Sequence, residues 1–239
     1  MRSVGESHIG KVRSENQDTI FLSDQPVGKL DNLYIVADGM GGHRAGGYAS
    51  SYAVSRFVDL LRESEDEDII ESMKAAIAAV NQEILEKCRE DSAYAGMGTT
   101  IVAATVSGSR ITVMNIGDSR LYYGAGDFEQ ITVDHSYVEE LVQAGALRRD
   151  QSRLHPKKNL ITRAVGAPSA EPDFFQFQAQ DGYLLLCSDG LTNMIADDEL
   201  KELLLDHSQL ENKASQMIAR ANEYGGRDNI SLVIVELKR

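Results

Sequence analysis

Cysteine is scarce: Cys88 and Cys187 are the only two in 239 residues. One falls in a helical pattern and the other inside an apolar strand run, which argues against a disulfide framework and suits a reducing compartment. Positive charge is short as well. Lys and Arg number 24 against 37 Asp and Glu, and the net charge of −13 argues against nucleic acid or an anionic membrane surface as a partner, because both would be repelled at long range. No run of about 18 apolar residues, as a membrane-spanning helix requires, occurs, and the opening Met1-Arg-Ser-Val-Gly-Glu6 lacks the apolar stretch of a secretion signal. The expectation is a cytoplasmic protein. Repeats, linkers and low-complexity tracts are missing too, while hydrophobic content of 42% and charged content of 26% are ordinary for a globular chain. A single domain over residues 1–239, monomeric and long enough to bury a sizeable core, is expected.

What the chain does have is a repeated device, an apolar run that stops at an aspartate. Leu33-Tyr-Ile-Val-Ala-Asp38 is followed by Gly39-Met-Gly-Gly42. The run is short and apolar enough for a buried strand, and the glycines let the backbone turn sharply or approach a ligand beside the carboxylate. Val113-Met-Asn-Ile-Gly-Asp118 and Leu184-Leu-Leu-Cys-Ser-Asp189-Gly190 repeat the pattern, and Asp228-Asn229 stands just ahead of Ile230-Ser-Leu-Val-Ile-Val235. Singly, such dipeptides are also good turns. Gathered at one point, the four carboxylates would repel one another and carry a large desolvation cost unless cations joined them.

Around these runs the periodicity predicts a layered α+β domain. Strands are expected at residues 2–7 and 19–22, with Arg13 and Asp18 flanking a turn. Helices are expected at 45–62 and up to about Glu90, the second capped by Ser64 with Glu67 and carrying Ile69, Met73, Ile77, Val80, Ile84 and Cys88 on one stripe. Strands at 101–106, 111–116, 121–123 and 128–131 read as one antiparallel meander. A helix over 136–146, strands at 160–164, 174–177 and 183–187, helices near 197–205 and 209–224 and a last strand complete the order. Between them Arg148, Arg149, Arg153, Lys157, Lys158 and Arg163 put six of the 24 basic residues into 16 positions, where even spreading would put fewer than two.

Asp38, Asp118, Asp189 and Asp228 offer oxygen alone, and no Cys/His grouping has the spacing of a zinc site. Oxygen ligands favour Mg²⁺ or Mn²⁺, and a carboxylate shared by two ions about 3.5–4 Å apart makes a bimetallic hydrolase centre. A cysteine phosphatase needs an arginine six residues after its thiolate, but Tyr94 follows Cys88 and Asn193 follows Cys187 at that distance. A P-loop is excluded because residues 39–47 contain no lysine. A binding module without catalysis remains the alternative from another class; loss of Asp38, Asp189 or Asp228 would favour it, and all three are present.

Six segments now stand in a recognisable order: Arg13-Ser-Glu-Asn-Gln-Asp18, Asp38-Gly-Met-Gly-Gly42, Gly98-Thr-Thr100, Gly117-Asp-Ser-Arg120, Ser188-Asp-Gly190 and Gly226-Arg-Asp-Asn229. Over nearly its whole length the chain resembles the metal-dependent type 2C (PPM) protein serine/threonine phosphatases, specifically their compact bacterial members. The resemblance implies a central sandwich of two antiparallel β-sheets flanked by helices, a four-layer αββα arrangement, with two Mn²⁺ or Mg²⁺ ions at one end. It implies that Asp38 bridges both ions, that the Gly39 carbonyl binds one, and that Asp189 and Asp228 complete the shell of the other. Asp18 would hold metal-bound water, and Asp118 with Asp189 would match a weaker third-ion site. Arg13 would clamp the phosphate, a task suited to a guanidinium that matches its oxygens bidentately and keeps its charge; a surface salt bridge is its plainer role. The implied reaction is in-line attack of a metal-bridged hydroxide on phosphorus, with no covalent enzyme intermediate. The implied partners are phosphorylated proteins, the targets of a Ser/Thr kinase.

The chain also departs from the family pattern. Met40 stands where animal members have a histidine proposed as general acid, Gln17 where they have a glutamate, and Asn193 where they have an aspartate that helps the third metal. His43 is the candidate to protonate the leaving oxygen or to touch substrate, with a plain helix-entry role as the alternative. The basic segment 148–163 corresponds to the family's variable flap. Arg148 and Arg149 are its candidate substrate-binding residues, steering phosphorylated segments by charge, with a solvated loop as the alternative.

Overall fold

Strands buried on both faces read as unbroken apolar runs, and those found in the sequence become the middle of the molecule. The computed structural model describes residues 1–42 and 45–238. Strands β1 (Arg2–His8), β2 (Asp18–Ser23) and β3 (Leu33–Met40) lead into the long helices α1 (Ala45–Glu63) and α2 (Ile69–Glu90). The short β4 (Gly98–Thr99) opens a run of strands, β5 (Ile101–Ser107), β6 (Arg110–Ile116), β7 (Arg120–Ala125) and β8 (Asp127–Gln130). Helices α3 (Tyr137–Gln143) and α4 (Arg149–Ser152) precede β9 (Asp173–Gln178) and β10 (Gly182–Cys187). Then α5 (Asp189–Thr192), α6 (Asp197–Leu205) and α7 (Leu210–Glu223) lead to β11 (Ile230–Leu237).

One sheet has the order β1-β11-β10-β7-β8 and the other β2-β3-β5-β6-β9, with β4 added beside β3 and every pairing antiparallel. The two-residue alternation of a strand sorts side chains between layers. Leu33, Ile35 and Ala37 of β3 face α1 and α2, with Phe57, Leu61, Met73 and Ile77. Tyr34 and Val36 face the other sheet, meeting Leu184, Leu186, Val233 and Val235. On β11 the alternate residues Ile230, Leu232 and Ile234 pack under α6 and α7 against Leu200, Leu204 and Met217. Each fully buried Leu, Ile, Val, Phe or Met among them contributes about 1.5–3 kcal/mol. Helix, sheet, sheet and helix therefore stack in four layers, as the resemblance implies. No helix among the described residues is long and apolar enough to cross a membrane.

Three local expectations are corrected. The supposed meander is split: β5 and β6 lie in one sheet, β7 and β8 in the other, and the chain crosses between them at Gly117, whose φ of 107° is open to glycine but strained for other residues. Residues 160–164 form no strand; Ile161 makes an isolated bridge to Ser136, and the Arg163 side chain is spent on Asp173. Helix α2 is capped by Asp68, which accepts from the amides of Ile70 and Glu71, while Ser64 instead accepts from Asp66 N–H and the Ser72 hydroxyl. Both segments carry cap-forming side chains, and the start of the buried stripe decides between them.

Candidate metal centre

Register brings the first two acids together. Asp18 opens β2 directly opposite Asp38 of β3, a like-charge cross-strand pair that destabilises a sheet. Asp189 begins α5 immediately after β10, and Asp228 stands just before β11, the neighbour of β10. The two sheets are tied at this end by Ser188, whose hydroxyl donates to Asp18 Oδ2 at 2.8 Å and whose amide donates to the Ser231 carbonyl at 3.0 Å. Glycine permits the closeness. A Cβ on Gly39 would lie 2.1 Å from the Gly46 carbonyl oxygen, and one on Gly190 would lie 1.8 Å from that of Asn229, both impossible contacts.

Several residues with no assigned role in the sequence reading prove to hold the acids. Thr100 accepts the Asp38 amide at its hydroxyl (2.9 Å), and the Asp38 carbonyl accepts from the Thr99 hydroxyl at 2.9 Å and from the Thr100 amide at 2.9 Å. The Thr100 and Ser119 hydroxyls meet at 2.7 Å, which links the Asp38 strand to the turn carrying Asp118. Asn229 donates to the carbonyls of Ile9 and Glu15, each at 2.9 Å, and accepts the Gln17 amide at 2.8 Å. It pins the loop that carries Arg13. The motif Gly98-Thr-Thr100 and the Asn after Asp228 were the available signals, but their partners lie too far away in sequence to be inferred.

The electrostatics are those of crowded anions. Burial first, then the neighbouring Asp189 and Asp228 charges, pushes the Asp18 carboxyl up to about 7 although Ser231 and Ser188 bond to it. Burial and Asp228 raise Asp189 to about 6. Asp38 is held well above the carboxylate range by burial and by Asp18, Asp189, Asp118 and Asp228, and Asp118 by burial, Asp189 and Asp134. Asp18 Oδ1, Asp118 Oδ1 and Asp189 Oδ1 are buried without a hydrogen-bond partner, each at a cost of about 1–3 kcal/mol. Arg13 approaches from the pinned loop and donates to Asp228 Oδ2 at 2.7 Å, its charge favoured by Asp228, Asp38 and Asp189.

Among the described residues, no three acidic, histidine or cysteine side chains converge closely enough to hold an ion by themselves. The donor set nonetheless fits hard divalent ions of the Mg²⁺ kind, which take one or two carboxylates each and keep several waters. The unpaired carboxylate oxygens are acceptors of that type. Asp18, Asp38, Asp189, Asp228 and Arg13 are thus gathered, and Asp118 is coupled to them through Asp189. Arg148 is not; it pairs with exposed Asp150. Arg149 is bound to Glu139 and shares the wall of a cavity with Asp118 and Asp189. His43 lies outside the described residues.

A sheet sandwich covered by helices, with oxygen-only acids gathered at one end of its strands, is the architecture of a hydrolase centre for hard divalent ions. Comparison with known proteins agrees. The family described as Protein phosphatase 2C matches residues 4–231. The serine/threonine phosphatase stp of Listeria innocua is 41% identical over 235 residues, covering 95% of this chain and 92% of that one. The S. agalactiae serine/threonine phosphatase structure superposes with a TM-score of 0.91 at 37% identity and covers 99% of both chains. The catalytic domain of PstP, determined in complex with two manganese ions, gives 0.86 at 32% identity, covering 98% of this chain and 97% of that one. The chain belongs to the protein phosphatase 2C family, as a PPM-type enzyme of the compact bacterial kind. It is a protein phosphatase, a hydrolase.

Proposed function

We propose that residues 1–239 act as a single catalytic domain that removes phosphate from phosphoserine and phosphothreonine in proteins, with two Mn²⁺ or Mg²⁺ ions held by Asp38, the Gly39 carbonyl, Asp189 and Asp228. The observation that carries this reading is the set of buried, unpartnered carboxylate oxygens on Asp18, Asp118 and Asp189 at adjoining strand ends. Bound ions supply Lewis acidity and a water acidic enough to attack phosphorus directly near neutral pH. Arg13, already extended to Asp228, turns its free guanidinium edge to the phosphoryl oxygens and neutralises their charge. Asp18 is oriented by Ser188 at one oxygen, and its other, buried and unpartnered oxygen would hold a metal-bound water. Relatives called serine/threonine phosphatases support phosphoproteins, the targets of a Ser/Thr kinase, as partners of a cytoplasmic monomer.

The test is hydrolysis of a phosphothreonine peptide. Activity should need Mn²⁺ or Mg²⁺, disappear with chelator, and fall by about a hundred- to a thousandfold in Asp38→Asn and Asp189→Asn, the scale seen when a main electrostatic contributor is removed. Undiminished turnover in chelator would discard the reading.

A further inference from the structure

We propose that a tyrosine-lined cavity between helices α1 and α2 seats a basic side chain of the phosphorylated partner, an arginine or lysine a few residues from the phosphoserine or phosphothreonine. The inference rests on the reading of this chain as a metal-dependent phosphatase of proteins. The cavity measures about 210 Å³, room for one long side chain. Tyr48 and Tyr52 stand one helical turn apart on α1 with their rings stacked at 5.7 Å, and Tyr94 packs on Tyr48 with ring centroids 4.8 Å apart. Glu83, Glu86, Lys87 and Glu90 line the α2 side, at the spacings of three and four that place side chains on one helix face.

This wall suits a cation. An aromatic face attracts positive charge, and the chain's own Lys87 already places its Nζ 5.1 Å from the centre of the Tyr94 ring. Glu83 is committed, accepting from the Tyr52 hydroxyl at 2.8 Å and from Arg56 Nε at 3.1 Å. It holds the Tyr52 ring in place. Glu86 and Glu90 are exposed, and neither carboxylate is ion-paired among the described residues. They are free to meet a guest ammonium or guanidinium. The place is also right for a substrate. Gly46, in the first turn of α1, packs so closely on Gly39 that a Cβ on Gly39 would lie 2.1 Å from its carbonyl oxygen, and Tyr94 lies shortly before Gly98, which pairs with Met40. Tyr48 and Tyr52 follow Gly46 by about 3 and 9 Å along the helix. An extended peptide with its phosphate at the metal centre covers that distance, and the reach of the side chains, in about three to five residues at about 3.3 Å each.

The test is an arginine scan. Phosphothreonine peptides of alanine and glycine carry one arginine in turn at each of the five positions on either side of the phosphothreonine, and kcat/KM is compared with that of the arginine-free peptide. The gain is a ratio within each variant, so a general loss of activity cancels. In the wild type at least one position about three to five residues away should give a gain of about three- to tenfold, the scale of one cation–π contact with a carboxylate beside it. Glu86→Gln/Glu90→Gln, which changes two exposed side chains without changing their size, should cut that gain to less than about twofold, and Tyr48→Leu should do the same while Tyr48→Phe keeps it. Lys87→Met, which removes the competing cation, should enlarge it by about twofold. Two neighbouring changes on one helix face thus move the ratio in opposite directions, which packing alone would not do. A wild type with no favoured position, a gain that survives in Glu86→Gln/Glu90→Gln, or a gain that shrinks in Lys87→Met would overturn the inference and leave the proposed activity standing. Failure to hydrolyse any of the peptides with Mn²⁺ present would overturn both.

Discussion

Two charged clusters lie near the same end of the paired strands β7 and β10 and are built on opposite terms. At Arg120 the guanidinium donates through Nε and Nη2 to both oxygens of Asp134, at 2.8 and 2.6 Å, and through Nη1 to the Tyr122 hydroxyl at 2.9 Å. Burial opposes the charge of Arg120, and Asp134 and Tyr122 together more than offset it. At the strand ends, Asp18, Asp118 and Asp189 each keep a buried oxygen with no partner in the protein. A chain that can satisfy a buried ion so fully in one place has not done so in the other. The comparison locates function where polar groups are left open and stability where they are closed.

The largest expected effect comes from opening the closed cluster. Arg120→Met removes the partner of Asp134, whose side chain is 12% exposed. Breaking a buried pair costs about 3–5 kcal/mol, and the 25% exposure of the Arg120 side chain places this one near the lower end. Calorimetry should show the melting temperature fall by about 6–12 °C, at about 2–4 °C for each kcal/mol in a chain of this size. A shift within about 2 °C would mean that the node is not a structural one.

Closing the open cluster should work in the other direction. Asp18→Asn keeps an oxygen to accept from Ser188 but removes a charge facing Asp38, so the metal-free protein should gain stability at neutral pH. The pH dependence has a definite sign. Asp18 at about 7 and Asp189 at about 6 hold protons in the folded state that the unfolded chain, with ordinary carboxyls near 4, has already lost. Their contribution is fully present below about pH 4 and is lost as pH rises to about 7. Melting in chelator should therefore show the advantage of Asp18→Asn over wild type growing from pH 5 to pH 8. It should vanish or reverse in saturating Mn²⁺. An advantage independent of both pH and metal would mean that the acids do not repel as described.

The contrast also marks what could be read in advance. The strands carrying Asp38 and Asp189 were visible because a two-sided burial pattern leaves an apolar run and a glycine follows each acid. The crossing at Gly117 was not, since strands on either side of it alternate in the same way whichever sheet they join. Ser64 and Asp68 compete within one polar stretch, and only the packed position of Ile69 and Met73 shows which caps. The ties made by Asn229 to Ile9, Glu15 and Gln17, and by Lys158 to Asn193, join residues with no local periodicity between them. They are consequences of topology, so the acids were legible and their supports were not.

The smallest effect separates charge that builds the fold from charge that meets substrate. Arg148 and Asp150 form an exposed pair, with side chains 74% and 68% open, and such pairs add about 0–1 kcal/mol. Arg148→Ala should leave the melting temperature unchanged to within about 2 °C. If the segment draws phosphorylated chains toward the acidic body, kcat/KM for a phosphopeptide should fall by about two- to fivefold at low salt, while a small aryl phosphate is hydrolysed as before. The difference should shrink toward physiological ionic strength as the Debye length contracts to about 8 Å. Equal losses on both substrates would assign Arg148 to the catalytic geometry, and no loss on either would leave it a solvated charge balanced by Asp150.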